Sequence, residues 1–263
     1  MDLELRGKNV LVTGASKGIG LACARAFAAE GCNVHIAARS AAELEKTSKE
    51  LAAQYNVKVT PHPYDLGVGD NTRALARECG ALDVLVNNAG AIPGGHLADI
   101  DEARWRAAWE LKVFGYINLT REVYADMCRR GSGVIVNVIG LAGERNRANY
   151  IAGTTGNAGL MAFTRALGAE SVDCGVRVVG INPGRIETER QIKHMKEAAA
   201  KEFGDAARWT EVRARIVESL PFKRSGRPEE VADLATFLAS ARAAYISATV
   251  VTIDAGQSLR ERK

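Results

Sequence analysis

The stretch TGASKGIG (13–20) decides the fold, because its three glycines join an apolar run to a helical pattern. The run before it, NVLVT (9–13), has the β-branched composition of a strand that is buried on both faces. The residues after it, IGLACARAFAAE (19–30), have the apolar spacing of a helix. A glycine-rich turn in this position predicts a strand–turn–helix unit that binds phosphate groups.

Each glycine of this turn has a physical role in such a unit. Gly14 permits the tight bend, Gly18 lets the backbone approach a pyrophosphate, and Gly20 allows the helix to pack closely on the sheet. The free N–H groups at the start of the helix carry a partial positive charge that attracts phosphate. The residues expected to bind the phosphates are Gly14, Ser16, Lys17, Gly18, Ile19 and Gly20.

Short apolar runs and longer helical stretches alternate through the rest of the chain. This alternation predicts an α/β fold with a doubly wound parallel sheet, a Rossmann fold, in which residues 1–263 form a single domain. Helices are expected at 41–55 and 103–130, and a polar, helical insertion at 185–225 interrupts the alternation. Further strands are expected at 33–38, 57–61, 83–87, 133–138, 176–181 and 249–254.

The composition is that of an ordinary globular protein. Apolar residues make up 47% and charged residues 25%, which excludes a disordered chain. A net charge of +4 is too small to indicate a nucleic-acid partner. Residues 185–227 contain 11 basic and 7 acidic residues, so this segment holds an excess equal to the whole net charge.

The first residues and the cysteines indicate the cellular compartment. The start, MDLELRGKN, lacks the apolar core of a secretory signal, and no apolar run approaches the ~18 residues of a membrane span. We therefore expect a cytoplasmic protein with no membrane contact. The five cysteines show no C-x-x-C pair and no metal-ligand spacing, which favours buried, unpaired thiols in a reducing compartment. No metal site is expected.

Motifs after the other expected strands extend the pattern. Asp65-Leu66 follows the third strand, NNAG (87–90) the fourth, and NPGRIET (182–188) the sixth. With these motifs the chain resembles the short-chain dehydrogenase/reductase family, and the resemblance runs nearly end to end. It is completed by TGASKGIG, RSGRPEEVADLATFLAS (224–240) and VVTIDAG (250–256).

The resemblance implies a bound nicotinamide dinucleotide and assigns residues to it. In the family, the carboxylate that matches Asp65, beside Leu66, binds the adenine amino group, and residues that match Asn88, Ala89 and Gly90 line the adenosine ribose. The alternative for Asn88 and the preceding asparagine is a turn that supports the sheet, but the recurrence of the whole set in order favours a cofactor role. The residues that match those at the nicotinamide end are Pro183, Gly184, Ile186 and Thr188.

The end of the second strand indicates which nicotinamide cofactor binds. A carboxylate there would hold the ribose hydroxyls of NAD and repel a 2′-phosphate. This chain has Ala38 followed by Arg39, with Lys17 in the nearby glycine turn. Two cations and no acid suit a phosphate, although both could be solvated surface charges. NADP(H) is therefore the expected cofactor.

The resemblance also implies a catalytic tyrosine, a lysine four residues later, a serine 13 residues before the tyrosine, and an asparagine on the preceding long helix. Matching the flanking segments places Gly140 at the serine position, Gly153 at the tyrosine position and Asn157 at the lysine position. Lys112 falls at the asparagine position. Neither glycine can move a proton, and Asn157 keeps hydrogen bonds for a ribose but carries no charge. The usual catalytic set is therefore expected to be absent.

Other residues could replace that set. Tyr150, in the loop before the helix, could supply a hydroxyl, and Lys112 a cation, while each could equally be a structural residue. The remaining candidates for a catalytic role are His96, Glu144, Arg145 and Arg147. For each of them the alternative is an ordinary surface role.

Two functions follow from this altered site. The first is an atypical NADP(H)-dependent oxidoreductase that acts on an unidentified small molecule. The second is a catalytically inactive NADP(H)- or ligand-binding protein with a regulatory or scaffolding role. Elimination or hydrolysis without redox turnover is a third interpretation, and the nucleotide-binding motifs favour the first two.

The resemblance further implies a substrate lid and an oligomer. The insertion 185–225 matches the family's lid, and its basic excess favours an anionic substrate, although a solvated pair of surface helices fits the same pattern. In the family, helices that match 103–130 and 154–173 pack against a second subunit, so we expect a homodimer or homotetramer. Candidate interface residues are Trp109, Val113, Phe114, Leu160 and Phe163.

Overall fold

The computed structural model describes residues 1–260 and contains seven parallel strands that form one sheet. They are β1 (Asn9–Thr13), β2 (Asn33–Ala38), β3 (Val59–Pro63), β4 (Val84–Asn87), β5 (Gly133–Val138), β6 (Val176–Pro183) and β7 (Val250–Ile253). Their order across the sheet is β3-β2-β1-β4-β5-β6-β7, so the winding reverses between β1 and β4. Doubly wound sheets form their ligand crevice at such a reversal. The expected fold class is confirmed.

Nine α-helices among the described residues cover the sheet and form the insertion. They are α1 (Gly18–Ala29), α2 (Ala41–Tyr55), α3 (Gly69–Cys79), α4 (Glu102–Trp109), α5 (Gly115–Arg130), α6 (Ile151–Glu170), α7 (Glu189–Phe203), α8 (Trp209–Glu218) and α9 (Pro228–Ala239). No helix within residues 1–260 is both long and apolar enough to cross a bilayer.

The side chains of β1 show why the strands are apolar throughout. Val10 and Val12 pack with Phe27 of α1 on one face of the sheet. Leu11 packs with Leu119 of α5 on the other face. Because successive residues of a strand point to opposite faces, a sheet with helices on both sides buries every position. The apolar runs of the sequence are the direct result.

The expected long helix 103–130 is interrupted. A π-helical turn, Glu110–Phe114, separates α4 from α5. Apolar periodicity does not reveal one extra residue in a turn, and such turns are frequent at functional sites. Gly115 follows the turn, where a Cβ atom would lie 3.0 Å from the Leu66 carbonyl oxygen. The sequence 103–130 therefore folds as two helices with a widened turn between them.

Two other expected elements have different bounds. The third strand begins at Val59 rather than at residue 57, since its ladder with β2 pairs Val34 with Val59 and continues to Pro63. The helix expected at 154–173 is α6, which begins earlier, at Ile151, and ends at Glu170. Strand pairing sets the start of β3, which apolar content alone does not reveal.

The expectation that all five cysteines are unpaired is wrong. A disulfide joins Cys128 and Cys174, which are 46 residues apart in the sequence. The pairing of β5 with β6 brings the end of α5 close to the turn before β6, and no local pattern could show this. Cys23, Cys32 and Cys79 are buried free thiols, as expected.

The insertion forms a helical hairpin. Met195 and Ala199 of α7 pack with Val212 of α8 in a small apolar cluster of their own. The hairpin is tied back to the body where Ile186 forms a bridge with Gly226.

Part of the expected subunit interface is used within the chain. Val113 and Leu160 are buried together with Tyr116 in one apolar cluster, so they offer no face to a second subunit. Trp109 donates a 3.0 Å hydrogen bond from Nε1 to the Ala152 carbonyl oxygen. Phe114 is 43% exposed, and the oligomer itself stays a prediction.

Arg177 should contribute strongly to stability, because its guanidinium donates to the carbonyl oxygens of Leu238, Ser240 and Ile246. Arg177→Met leaves these partly buried acceptors without a donor, and we expect a loss of about 3 kcal/mol in the free energy of unfolding. Equilibrium urea unfolding measures this. Arg165→Met is the control, because Arg165 is exposed on α6. Equal effects of the two substitutions would contradict the role of Arg177.

Candidate active site

The glycine turn after β1 forms one wall of a crevice at the carboxyl ends of the strands. Gly14 and Gly18 have φ angles of 67° and 58°, which L side chains rarely adopt. A Cβ atom on Gly20 would lie 2.2 Å from the Gly14 carbonyl oxygen, so only glycine permits this packing. No side chain caps the start of α1 at Lys17, which leaves the first helical N–H groups open to an anion.

A hydrogen-bonded link joins the ends of β1 and β4. The Thr13 hydroxyl oxygen accepts from the backbone N–H groups of Asn88 and Ala89 at 2.9 and 3.0 Å. The Asn88 side chain in turn donates to the Thr13 carbonyl oxygen at 3.0 Å. The Asn88 side chain thus supports the end of the sheet in the absence of a ligand, and a cofactor role for Asn88 stays a prediction. Ala89 and Gly90 follow it.

Two exposed cations follow the ends of β1 and β2. Lys17 and Arg39 are both exposed, and within residues 1–260 neither forms an ion pair. Asp65 is exposed after β3, where its Oδ1 accepts from the backbone N–H of Gly67. Leu66 is buried in the apolar cluster of the sheet, so its side chain contributes to packing.

The opposite wall of the crevice follows β6. Pro183 ends the strand, and a Cβ atom on Gly184 would lie 2.6 Å from Cβ of Asp254, which explains the glycine. Ile186 is buried, and Thr188 caps α7 through its side chain. Thr188 also lies against the glycine turn, since its Cγ2 would be 3.3 Å from a Cβ on Gly18.

Gly140, Gly153 and Asn157 lie where β5 and α6 meet. Gly140 follows β5, and its carbonyl oxygen accepts a 3.3 Å hydrogen bond from Nδ2 of Asn157. Asn157 is buried, and its Oδ1 is the one buried side-chain polar atom within residues 1–260 that has no hydrogen-bond partner. A buried acceptor without a donor is costly, so this oxygen suits a ligand hydroxyl such as that of a ribose.

The Tyr150 ring takes the space that a side chain at Gly153 would need. A Cβ atom on Gly153 would lie 2.0 Å from Cε1 of Tyr150. Tyr150 immediately precedes α6, and burial raises the pKa of its hydroxyl, an effect that the Arg190 guanidinium opposes.

Lys112 is the least expected feature of the crevice, because its ammonium group is buried against neutral atoms. Its Nζ donates to the Val138 carbonyl oxygen and to the Tyr116 hydroxyl, both at 2.7 Å. Its aliphatic stem fills the space beside Gly90, where a Cβ atom would lie 2.4 Å from Cδ. Burial, with a smaller contribution from the Arg190 charge, lowers the pKa of Lys112 from 10.5 to about 7. Lys112 can therefore gain or lose a proton near neutral pH.

Arg190 brings the insertion to the crevice. Its guanidinium donates a 2.6 Å hydrogen bond to the Gly90 carbonyl oxygen, across 100 residues of sequence. The same charge acts on the pKa values of Lys112, Tyr116 and Tyr150. The start of α7 therefore lies over the groups that could handle a proton.

The remaining candidates lie on the surface. His96 and Arg147 are exposed. Glu144 accepts a 2.9 Å hydrogen bond from the Thr252 hydroxyl, and Arg145 donates to a backbone carbonyl oxygen near the end of the described chain. These contacts are structural, and none of them brings a titratable group to Asn157 or Lys112.

The comparisons with known proteins agree with this geometry. A family model described as short chain dehydrogenase matches residues 8–199. The chain belongs to the short chain dehydrogenase family. It is 32% identical over 258 residues to galactitol 2-dehydrogenase (L-tagatose-forming) of Cereibacter sphaeroides, with 97% of each chain covered.

Other members of the short chain dehydrogenase family are equally similar. A 3-oxoacyl-(acyl-carrier-protein) reductase of Thermotoga maritima is 32% identical, with 97% of this chain and 99% of the relative covered. The structure of L-sorbose reductase from Gluconobacter frateurii, complexed with NADPH and L-sorbose, superposes with a TM-score of 0.93 at 30% identity. That match covers 99% of this chain and 100% of the reductase. The family is one of oxidoreductases.

Tyr116 and Arg190 were not identified from the sequence. Tyr116 follows Lys112 by four residues, so a search for polar pairs one turn apart on the long helix could have found it. Arg190 reaches Gly90 only through the folding of the insertion, and no local pattern reveals that contact.

The lowered pKa of Lys112 predicts a pH-dependent stability. Below pH 7 both the native and the unfolded chain hold the Lys112 proton, and between about pH 7 and 10.5 only the unfolded chain does. The contribution of Lys112 to the free energy of unfolding should therefore rise by about 1.4 kcal/mol per pH unit in this window. Urea unfolding at pH 7 and pH 9 measures this rise. We expect it to be absent from the free energy of unfolding of Lys112→Met.

The matched control is Lys196→Met, since Lys196 is exposed on α7. Its free energy of unfolding should depend on pH as that of the wild-type protein does. The same pH dependence in Lys112→Met and in the wild type would show that the buried ammonium keeps its ordinary pKa.

Proposed function

We propose that the protein is an NADP(H)-dependent oxidoreductase that interconverts a small carbonyl compound and its alcohol through a non-standard site built on Lys112. One observation carries the proposal: a buried ammonium whose pKa is lowered to about 7 lies in the crevice beside Gly90. General acids and bases work best when their pKa is near the operating pH. Both hydrogen-bond partners of the buried ammonium are neutral, so no carboxylate holds its proton in place.

The residues of the crevice fit a nicotinamide dinucleotide. The open N–H groups at the start of α1 suit the pyrophosphate, and the unpartnered Oδ1 of Asn157 suits a ribose hydroxyl. The residues proposed to line the adenosine end are Asp65, Leu66, Asn88, Ala89 and Gly90. The nicotinamide end would be held by Pro183, Gly184, Ile186 and Thr188.

The cofactor is proposed to be NADP(H) rather than NAD(H). Arg39 and Lys17 are exposed without ion-pair partners within residues 1–260, so both are free to bind a 2′-phosphate. Ala38 supplies no carboxylate to repel that phosphate. The L-sorbose reductase that superposes on this chain is complexed with NADPH, which supports the assignment.

The family's serine, tyrosine and lysine are proposed to be replaced by Gly140, Gly153 and Asn157, and its asparagine by Lys112. Two observations support this register. Asn157 follows Gly153 by four residues on α6, which is one helical turn, and it contacts the Gly140 backbone. In the proposed register, α6 would lack the tyrosine and lysine that move a proton in the family.

The proposed mechanism transfers the proton-handling role to the neighbouring helix. When bound, NADPH supplies a hydride to the substrate carbon. Lys112, held by the Val138 carbonyl oxygen and the Tyr116 hydroxyl, would donate a proton to the substrate oxygen. Tyr150, whose pKa burial raises, would remain protonated and orient the substrate through its hydroxyl. In the reverse direction, neutral Lys112 would accept the proton.

One observation favours the alternative of a ligand-binding protein without turnover. The Tyr150 ring fills the space above Gly153, where the family's catalytic tyrosine is expected. A ring in that place would support a bound nucleotide without providing acid catalysis. The absence of turnover on any carbonyl compound, together with tight NADPH binding, would favour this alternative.

The insertion is proposed to act as a lid, and the small-molecule substrate to be anionic. Arg190 already connects α7 to Gly90, and the insertion carries the basic excess of the chain. Exposed Phe114 on the interrupted long helix supports a homodimer or homotetramer, and a cytoplasmic location is proposed on the sequence alone.

We expect NADP(H) to bind at least tenfold more tightly than NAD(H), a difference of about 1.4 kcal/mol. Arg39→Asp should reverse this preference, because a carboxylate repels the 2′-phosphate and binds ribose hydroxyls. Fluorescence titration with both reduced cofactors measures it. Arg25→Asp, an exposed change on α1, is the control and should keep the preference. Equal affinities in the unmodified protein would refute the assignment.

Lys112→Met should lower kcat for carbonyl reduction by about 10²–10⁴-fold while NADPH still binds, because the proton donor is lost. Tyr150→Phe should change kcat much less. In the wild type, kcat/KM for reduction should fall as pH rises above about 7, where Lys112 loses its proton. NADPH oxidation over a panel of anionic and neutral carbonyl compounds measures these effects.

Two outcomes would contradict this mechanism. The first is a large loss in Tyr150→Phe together with full activity in Lys112→Met, which would transfer the acid role to Tyr150. The second is a flat pH profile of reduction between pH 6 and 9, since ionisation of Lys112 near 7 must affect the rate.

A further inference from the structure

Three side chains that commonly bind metal ions meet at one edge of the sheet, outside the crevice. They are His35 on β2, His62 on β3 and Cys79 at the end of α3. Nδ1 of His35 lies 2.9 Å from Nε2 of His62, and Sγ of Cys79 lies 3.7 Å from the same Nε2. All three ligand atoms are within 4.8 Å of one another.

The fold, rather than the sequence spacing, creates this cluster. In the ladder between β2 and β3, His35 pairs with Thr60 and Ala37 pairs with His62. His35 and His62 are therefore diagonal neighbours on one face of the sheet. Helix α3 covers this face, and its last residue, Cys79, closes the cluster. The sequence spacing predicted no metal site because each ligand comes from a different element.

We propose that His35, His62 and Cys79 bind one Zn²⁺ ion. Imidazole nitrogen and thiolate sulfur are both zinc ligands, and a site with three protein ligands keeps a fourth position for water. In a tetrahedral site with bonds of about 2.0–2.1 Å to nitrogen and 2.3 Å to sulfur, neighbouring ligand atoms lie about 3.3–3.6 Å apart. The 3.7 Å contact between His62 and Cys79 is within about 0.1 Å of this spacing.

Both rings must move to ligate the ion, and the His35 ring must also approach Cys79, whose Sγ lies within 4.8 Å of its Nδ1. Their nitrogens, 2.9 Å apart, must separate by about 0.4 Å and tilt so that both lone pairs meet at one point. His35 is half-buried at the sheet edge, which allows its ring to move. His62 and Cys79 are buried, 4% and 8% exposed, so the ion would be enclosed on their side.

A carboxylate supports the cluster from outside. Oε2 of Glu78 lies 3.0 Å from Nδ1 of His62, and Glu78 also accepts a hydrogen bond from the Tyr64 hydroxyl. An acceptor at Nδ1 directs the lone pair of Nε2 toward Cys79 and His35. Carboxylate–histidine pairs of this kind orient metal ligands in many zinc sites. Glu78 is therefore a positioning residue and not a ligand.

The position of the ion explains what it would do. His35 precedes Ala38 by three residues, and His62 precedes Asp65 by three residues. The ion would cross-link β2, the edge strand β3 and α3, the elements that lead to the adenosine end of the crevice. It would stabilise this edge without taking part in the chemistry at Lys112.

Titration of the metal-free protein with Co²⁺ tests the site, because cobalt replaces zinc and reports its ligands by absorption. We expect one equivalent per chain to give a thiolate-to-cobalt charge-transfer band, which Zn²⁺ abolishes. Cys79→Ser should lose the band, and Cys32→Ser, at another buried free cysteine, should keep it. No band in the unmodified protein, or an unchanged band in Cys79→Ser, would overturn the proposal.

Zn²⁺ affinity, measured by competition with a chelating dye, adds a second test that does not depend on cysteine. His35→Gln and His62→Gln should each weaken binding more than 100-fold, and Glu78→Gln about 10–100-fold. His96→Gln, at an exposed histidine, should bind as the wild type does. Zn²⁺ should raise the Tm of the wild type and of His96→Gln but not that of His35→Gln. Equal affinity in all four variants would refute the site.

Discussion

The link between Thr13 and Asn88 is the contact on which the crevice depends. It joins β1 to β4 where the winding of the sheet reverses, so the two loops that leave these strands diverge from a fixed point. The hydroxyl of Thr13 uses three hydrogen bonds, two accepted from backbone N–H groups and one donated to Val86. A polar side chain at this buried position thereby satisfies groups that the end of the sheet would otherwise leave unpaired.

The buried lysine shows how the site could differ from a usual one on the same scaffold. An ammonium group removed from water must find strong acceptors or give up its proton, and Lys112 has only a carbonyl and a hydroxyl oxygen. The π-helical turn that carries it, and the glycine beside it at Gly90, accommodate its long side chain. On α6, by contrast, Gly153 leaves room for Tyr150. In the proposed mechanism the proton is therefore handled by Lys112, in the turn before α5, and not by a residue of α6.

The features that could be predicted from the sequence are those that neighbouring residues determine. The glycine turn, the apolar strands and the helix start near Ile19 follow from neighbouring residues, and the expected parallel sheet is confirmed. The π-helical turn, the Cys128–Cys174 disulfide and the contact of Arg190 with Gly90 depend on tertiary packing. The cofactor residues came from ordered motifs and stay predictions. The four-residue spacing of Lys112 and Tyr116 is visible in the sequence, but the hydrogen bond of Tyr116 to the Val138 carbonyl oxygen depends on the packing of α5 against β5.

The edge of the sheet connects the two proposed sites. β3 pairs with one neighbour only, so its backbone hydrogen bonds open more easily than those of the central strands. Yet β3 ends just before Asp65, and β2 ends just before Arg39, so the end of the crevice proposed to bind adenosine rests on this weaker edge. The His62–Glu78 contact and the covering helix α3 already stabilise it. An ion held by His35, His62 and Cys79 would restrict local opening further, because it binds only when β2, β3 and α3 are together.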